Sequence, residues 1–325
     1  MRFARLTALA ALALALLAAP LAARGQQAGK VYRIGVLALN TAAAYQPDLA
    51  AFRQRLLELG YGQNVLIEAR FADRAVERLP ALAAELVRLD VDTIVTITTP
   101  AAQAAKDATA TIPIVMAGSA DPVKLGLVAS LARPGGNITG VTNNPGPDFQ
   151  VKTLQLLKEA VPKVSRVAVL MTSHEVEVRS FNAMHAATPA LGVTPVSFKV
   201  ESPADIDLVA LTRMHADGLY VFPNAINGGH YRAILDFAVA NKLPAIYGER
   251  EAVDAGGLMS HSVNWLELRR HAAVFVDKIL KGTKPADLPV EDPTRFELVI
   301  NLKTAKALGL TIPPSVLARA DEIIQ

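Results

Sequence analysis

Thr93-Ile94-Val95-Thr96-Ile97-Thr98-Thr99-Pro100 decides the fold. The run is β-branched and does not alternate, which suits a strand covered on both faces, as in a parallel sheet. Thr99 then offers a capping hydroxyl, and Pro100 stands where a helix tolerates proline, at its first position. A buried strand that turns directly into a helix is half of a strand–helix–strand unit. The chain repeats the device at Asp121-Pro122, just after the apolar run Ile112–Ser119.

Outward from this stretch, the pattern predicts strands at Tyr32–Asn40, Asn64–Phe71, Thr93–Thr99, Ile112–Ser119 and Ile138–Asn143. A second set covers Arg166–Ser173, Thr194–Val200, Gly218–Pro223, Ala245–Gly248 and Gly257–Ser262. Helical stripes separate them: Leu49, Phe52, Leu56 and Leu59, closed by Gly60; Leu79, Leu82, Leu86 and Leu89; Leu154, Leu157 and Val161; Val274, Ile279 and Leu280. Such alternation with short connections implies an α/β fold with parallel sheets. The turn-rich Thr142-Asn143-Asn144-Pro145-Gly146-Pro147 divides the two sets, and a second crossing is expected near 260–264. The expected organisation is two Rossmann-like lobes joined by a multi-crossover hinge: 26–142 plus about 263–325 in one, 147–260 in the other.

Composition narrows the function. The 325 residues contain no cysteine, which excludes disulfides, thiolate metal sites, cysteine nucleophiles and lipid attachment through a thiol. The formal charge of +3 is supplied by Arg2, Arg5 and Arg24, since no acid precedes Gln26. The remainder is balanced and gives no sign of a nucleic-acid partner. Those arginines frame Leu6–Ala23, an uncharged, Ala- and Leu-rich run ending at the small-residue site Ala23-Arg24-Gly25. This is the pattern of a cleavable secretory signal over residues 1–25. Arg2 and Arg5 are not adjacent, so general secretion rather than twin-arginine export is expected. The protein is therefore expected in the periplasm, without a lipid anchor.

In open parallel sheets, ligands bind beyond the carboxyl ends of the strands. Small hydroxyl and amide residues dominate there: the positions are Asn40, Thr98 and Thr99, Ser119 and Asp121, Asn143 and Asn144, Ser173, Asn224, Tyr247 with Glu249, and Ser260. They can hydrogen-bond a small polar ligand, and several can equally cap the next helix. The helix start after Thr98 and Thr99 suits a carboxylate. Asp121 either caps its helix or meets an ammonium. Glu249 offers a second ammonium partner, or a surface pair with Arg250. Signs of catalysis are poor: no G-x-G-x-x-G follows the first strand, there is no Walker sequence, and the six histidines show no ligand spacing. No enzyme activity, metal or cofactor is expected.

Several stretches resemble one family. They are Arg78–Val87, Asp121–Leu131, Arg133–Gly140, Glu251–Ser260, Lys281–Val290 and Phe296–Leu310, in that order. Together they look like substrate-binding proteins of bacterial ABC transporters, in the tryptophan/tyrosine-type branch of the type I periplasmic-binding-protein fold. The resemblance implies a receptor, expected as a monomer, that closes on one small solute (an amino acid, possibly aromatic, or a related metabolite). It would deliver that solute to an inner-membrane permease driven by a separate ATPase. On this reading Asn40, Thr98, Thr99 and Ser119 serve one lobe and Ser173, Asn224 and Tyr247 the other, with Asn143 and Ser260 near the crossovers. A receptor for a membrane sensor and a periplasmic hydrolase are the alternatives. The repressors that share this fold need a DNA-binding module ahead of the first strand, where only the export signal is expected.

Overall fold

The computed structural model describes residues 30–146, 148–202 and 207–325. The expected export signal and Pro147 lie outside them. The first lobe runs β1 (Tyr32–Ala38), α1 (Gln46–Glu58), β2 (Val65–Phe71), α2 (Leu79–Arg88), β3 (Thr93–Ile97), α3 (Thr99–Ala108), β4 (Ile114–Ser119) and β5 (Ile138–Thr142). Its five strands are all parallel, in the order β2-β1-β3-β4-β5. One face packs Ile34, Val36, Val95 and Val115 beneath α1, while the other packs Leu37, Ile94 and Met116 beneath α2 and α3. Both faces are covered, so these strands read as unbroken apolar runs.

The second lobe continues with α4 (Asp148–Ala160), β6 (Arg166–Met171), α5 (Glu175–Ala187), β7 (Thr194–Lys199), α6 (Leu208–Thr212), β8 (Gly218–Val221), α7 (Ala225–Gly229), α8 (Tyr231–Ala240), β9 (Ala245–Tyr247), α9 (Arg250–Asp254) and β10 (Met259–Val263). The chain then returns to the first lobe as α10 (Trp265–Leu280), which packs along α1 and against β4 and β5. It crosses once more, Glu291 bridging to Val141, and completes the second sheet with β11 (Phe296–Asn301), α11 (Leu302–Ala307), α12 (Pro314–Leu317) and β12 (Glu322–Ile324). That sheet has seven strands, ordered β12-β11-β10-β9-β8-β6-β7.

Two expectations change here. The stretch after 263 does not all join the first sheet: only α10 and the segment to about Glu291 do, and everything from Phe296 belongs to the second. Nor are the sheets wholly parallel, because β11 runs antiparallel to β10. The reason is topological. A chain arriving from the other lobe along the third crossover enters the sheet from the edge at which β10 leaves it.

A buried arginine ties α10 to the first lobe. Arg269 is 6% exposed; its Nε donates to Asp48 Oδ1 of α1 at 2.7 Å, and its Nη1 donates to the Ala117 carbonyl of β4. At the β4–β5 seam, Gly140 has φ +126°, and a Cβ there would lie 2.2 Å from the Met116 carbonyl oxygen. Only glycine permits that approach.

Candidate functional site at the facing strand ends

The carboxyl ends of the two sheets face each other. Two ion pairs span the gap between the loop after β4 and the start of α5: Asp121 with Arg179 at 3.5 Å, and Lys124 with Glu175. The charges cross over, each lobe contributing one acid and one base.

Beneath this rim, the first lobe presents Thr98 and Ser119. Both hydroxyl oxygens are buried without a hydrogen-bond partner. A buried polar group left unpaired costs on the order of 1–3 kcal/mol, so two side by side mark a place built for something else to bond. The backbone is strained at the same spot. Thr98 has φ +96° with ψ 154°, a region almost reserved for glycine, and Asp121 has φ +37°. Thr99 lies next door, but its hydroxyl accepts a hydrogen bond from the Ala120 N–H at 2.9 Å. It thereby ties the start of α3 to the loop beyond β4. The Asn143 N–H donates to the Ser119 carbonyl at 3.1 Å, fixing the end of β5 beside it. Asn40 is half-buried just past β1.

The second lobe answers with acceptors. Glu177, on the first turn of α5, accepts from the Thr172 N–H at 2.7 Å and from the Asn224 amide at 3.3 Å. Asn224 also caps α7 through the Asn227 N–H. Glu249, beyond β9, accepts from the Tyr231 hydroxyl at 3.2 Å. No base forms an ion pair with either carboxylate among the described residues. Burial raises the pKa of both: for Glu177 the hydrogen bonds oppose it, and for Glu249 the charge of Glu251 adds to it. On the first turn of neighbouring α4, Gln150 is 7% exposed, and its Oε1 has no partner.

The residues expected from sequence therefore divide. Thr98, Ser119, Asn143 and Asn40 stand at the first lobe's strand ends, and Asn224 and Glu249 at the second's. Ser173 is there too but exposed, its N–H donating to Glu201. Tyr247 does not join them. It is 1% exposed and packs into the face beneath α8, against Tyr231 and Gly257, because its place in β9 points it away from the strand ends. Ser260 lies inside β10, opposite Val299, rather than at its end; its hydroxyl is buried and unpaired. Asp121 caps no helix, since the segment after Pro122 is a series of turns, and it pairs with Arg179 instead. Arg250 passes over Glu249 to bond Asp254, Glu297 and Glu322.

Glu177, Gln150, Arg179 and the Lys124–Glu175 pair were not expected. A carboxylate three residues into a helix that follows a strand was a usable sign for Glu177; Gln150 gave none. A cavity of about 300 Å³ opens elsewhere, where all three crossovers meet, lined by Val141, Asn264, His271, Asp292 and Arg295 among others. None of the strand-end side chains lines it. Among the described residues no group of three or more His, Asp or Glu side chains is placed to hold a metal ion.

The family model for ABC transporter substrate binding proteins matches residues 33–324. The chain belongs to that family. This substrate-binding protein is 29% identical, over 86% of its length and 82% of the relative's, to a tyrosine-binding protein of Clostridioides difficile. A Streptococcus pneumonia structure described as an ABC domain in complex with L-Trp matches with TM-score 0.72 and 30% identity, covering 90% of this chain and 100% of that one. The ligand-free, open structure of a substrate-binding protein with adhesive properties from Clostridium difficile gives TM-score 0.78 and 27% identity, over 91% and 99% of the two chains.

Proposed function

We propose that this substrate-binding protein is the exported solute receptor of an ABC importer. It closes on a small amino acid, with aromatic ones the first candidates, and passes it to a membrane permease driven by a separate ATPase. One observation carries the reading: the unpaired, buried hydroxyls of Thr98 and Ser119 lie at the strand ends, under a rim of ion pairs contributed by both lobes. Groups that meet only when two lobes approach make ligand and closure mutually dependent. The tyrosine- and tryptophan-binding relatives supply the ligand class. Periplasmic residence follows from the export signal, and a monomer suffices because each chain holds both halves of the site. No residue is assigned a catalytic role.

The test is a thermal-shift screen of the purified protein against the common amino acids. A ligand at 100 times its Kd adds about 2.7 kcal/mol, which in a chain of this size raises the melting temperature by several degrees. A shift with tyrosine or tryptophan supports the reading; no shift with any amino acid defeats it.

A further inference from the structure

Each of the three crossovers meets the second lobe beside an aromatic ring. Phe149 opens α4 just after the first crossover, His261 stands in β10 just before the second, and Phe296 begins β11 just after the third. These rings touch one another. Phe149 lies against His261 with centroids 4.3 Å apart and planes 15° from parallel. Phe296 leans on both, 4.8 Å from Phe149 and 5.9 Å from His261. At such separations aromatic rings attract one another beyond the area that they bury. His261 is also held in place: its Nδ1 lies 2.8 Å from Thr153 Oγ1, and that hydroxyl donates to the Phe149 carbonyl at 2.9 Å. Beside the rings the second and third crossovers are tied directly, the Asn264 N–H donating to the Arg295 carbonyl at 3.1 Å.

At the first lobe the fastening is by backbone. The Thr142 N–H donates to the Glu291 carbonyl at 2.9 Å, and the Glu291 N–H to the Gly140 carbonyl at 3.0 Å. The Thr142 hydroxyl adds a bond to Asp292 at 2.6 Å, and His271 Nε2 of α10 lies 2.7 Å from the Glu291 carboxylate. Residues 143–146 of the first crossover and 293–294 of the third remain between the two fastenings. The cavity of about 300 Å³ lies at this level, with Pro293 and Thr294 on one side and Leu268 and His271 of α10 on another. Close-packed regions move as blocks, whereas a few linking residues beside unfilled space can absorb a change of dihedral angle.

We propose that Phe149, His261 and Phe296 form an aromatic clasp that gathers the three crossovers into one anchor on the second lobe, so that closure bends the chain only between this clasp and the Val141–Glu291 bridge. The three are positioning residues, acting on the solute without touching it, a role that rests on the solute-receptor reading above. With the crossovers gathered, the lobes have few ways to approach. With one of them loose, the lobes also twist and slide past each other, and the arrangement in which the strand ends meet is a smaller fraction of the whole. Apparent affinity falls by that fraction although every cleft contact is intact.

The absence of cysteine makes the test direct. Spin labels are attached at Arg88→Cys on α2 and Asp236→Cys on α8, both exposed, and their separation is measured by double electron–electron resonance. The backgrounds are wild type, Phe149→Leu, Phe296→Leu, Phe296→Tyr and Ile234→Ala, each empty and with L-tryptophan or L-tyrosine. Melting temperatures and calorimetric affinities are recorded alongside. Both leucine variants are expected to widen the distance distribution of the empty protein and to lower affinity about three- to tenfold, the equivalent of one aromatic pair. Phe296→Tyr keeps the ring and should follow wild type. Ile234→Ala, in the core beneath α8 on the other face of the same sheet, should melt lower with unchanged distances. Wild-type distances in both leucine variants overturn the inference, whatever their melting temperatures, and so does an equal widening in Ile234→Ala. Failure of tryptophan and tyrosine to bind the wild type defeats the aromatic-solute reading alone, and the distances in the empty proteins then decide for or against the clasp.

Discussion

Thr98 concentrates what single residues do in this protein. Its hydroxyl is buried and unpaired, and its backbone occupies a conformation that costs a non-glycine residue on the order of 1–3 kcal/mol. Selection for stability alone would place glycine there. Thr98→Gly is therefore expected to raise the melting temperature of the empty protein and weaken its affinity for tyrosine or tryptophan, as scanning calorimetry and titration would show. A fall in both would mean that the hydroxyl serves the fold. The strand-end positions of Thr98 and Ser119 were legible in the sequence because a small hydroxyl residue closing a buried strand is conspicuous. Tyr247 looked equally apt and is core, since one residue of register decides which face a strand side chain takes. Glu177 and Gln150 did not stand out because helix-opening polar residues are commonplace, and only the fold shows that, among the described residues, one is a half-buried carboxylate without an ion pair and the other has a buried, unpaired amide oxygen.

Among elements, α10 matters most, because it belongs by sequence to one lobe's neighbourhood and by packing to the other. Arg269 makes that attachment. Removing it leaves Asp48 charged and largely buried and the Ala117 carbonyl without its donor. Arg269→Ala should cost about 3–5 kcal/mol in denaturant titration, as loss of one member of a buried pair does. Strand β10 carries a second dependence. His261 stacks on Phe149 with ring centroids 4.3 Å apart, and its Nδ1 lies 2.8 Å from Thr153 Oγ1. The Thr153 hydroxyl donates to the Phe149 carbonyl, which leaves its oxygen to accept from Nδ1. Burial, aided by the charge of Lys152, lowers the His261 pKa to about 4. The unfolded chain titrates near 6.5, so stability from this group is complete above that value. It is lost as pH falls towards 4, by about 3 kcal/mol in all. His261→Gln should flatten the stability profile across that interval relative to wild type, as denaturation midpoints at several pH values would reveal. The ten expected strands are present to within two residues at either end, since apolar runs between polar turns leave little choice, whereas β11 and β12 were not among them. The direction of β11 was not legible, because pairing direction is set by where the chain arrives from and not by its local pattern.

For the whole molecule, the crossed pairs Asp121–Arg179 and Lys124–Glu175 set how readily the lobes stay together. Exposed pairs contribute only about 0–1 kcal/mol each. An equilibrium between two lobe arrangements is nevertheless sensitive to amounts of that size, a few-fold in population for each pair. Lys124→Glu should therefore weaken solute affinity by up to about fivefold at low salt, with a smaller effect at high salt as screening takes over. Adding Glu175→Lys restores the pair and should restore the affinity; no rescue would mean that the rim does not govern closure. The two-lobed plan was visible in the sequence, whereas the rim was not, because its partners lie more than fifty residues apart. The interleaved route of the chain has one more effect, on how the molecule is made. The first lobe lacks its helical cover until Leu280 is available, and the second lacks an edge until Ile324 is. The first cannot mature until most of the second has been supplied, and the second cannot until its last strand follows. A chain truncated after Val263 should be digested throughout by protease, with no resistant fragment, so these two lobes, distinct in space, are a single unit in time.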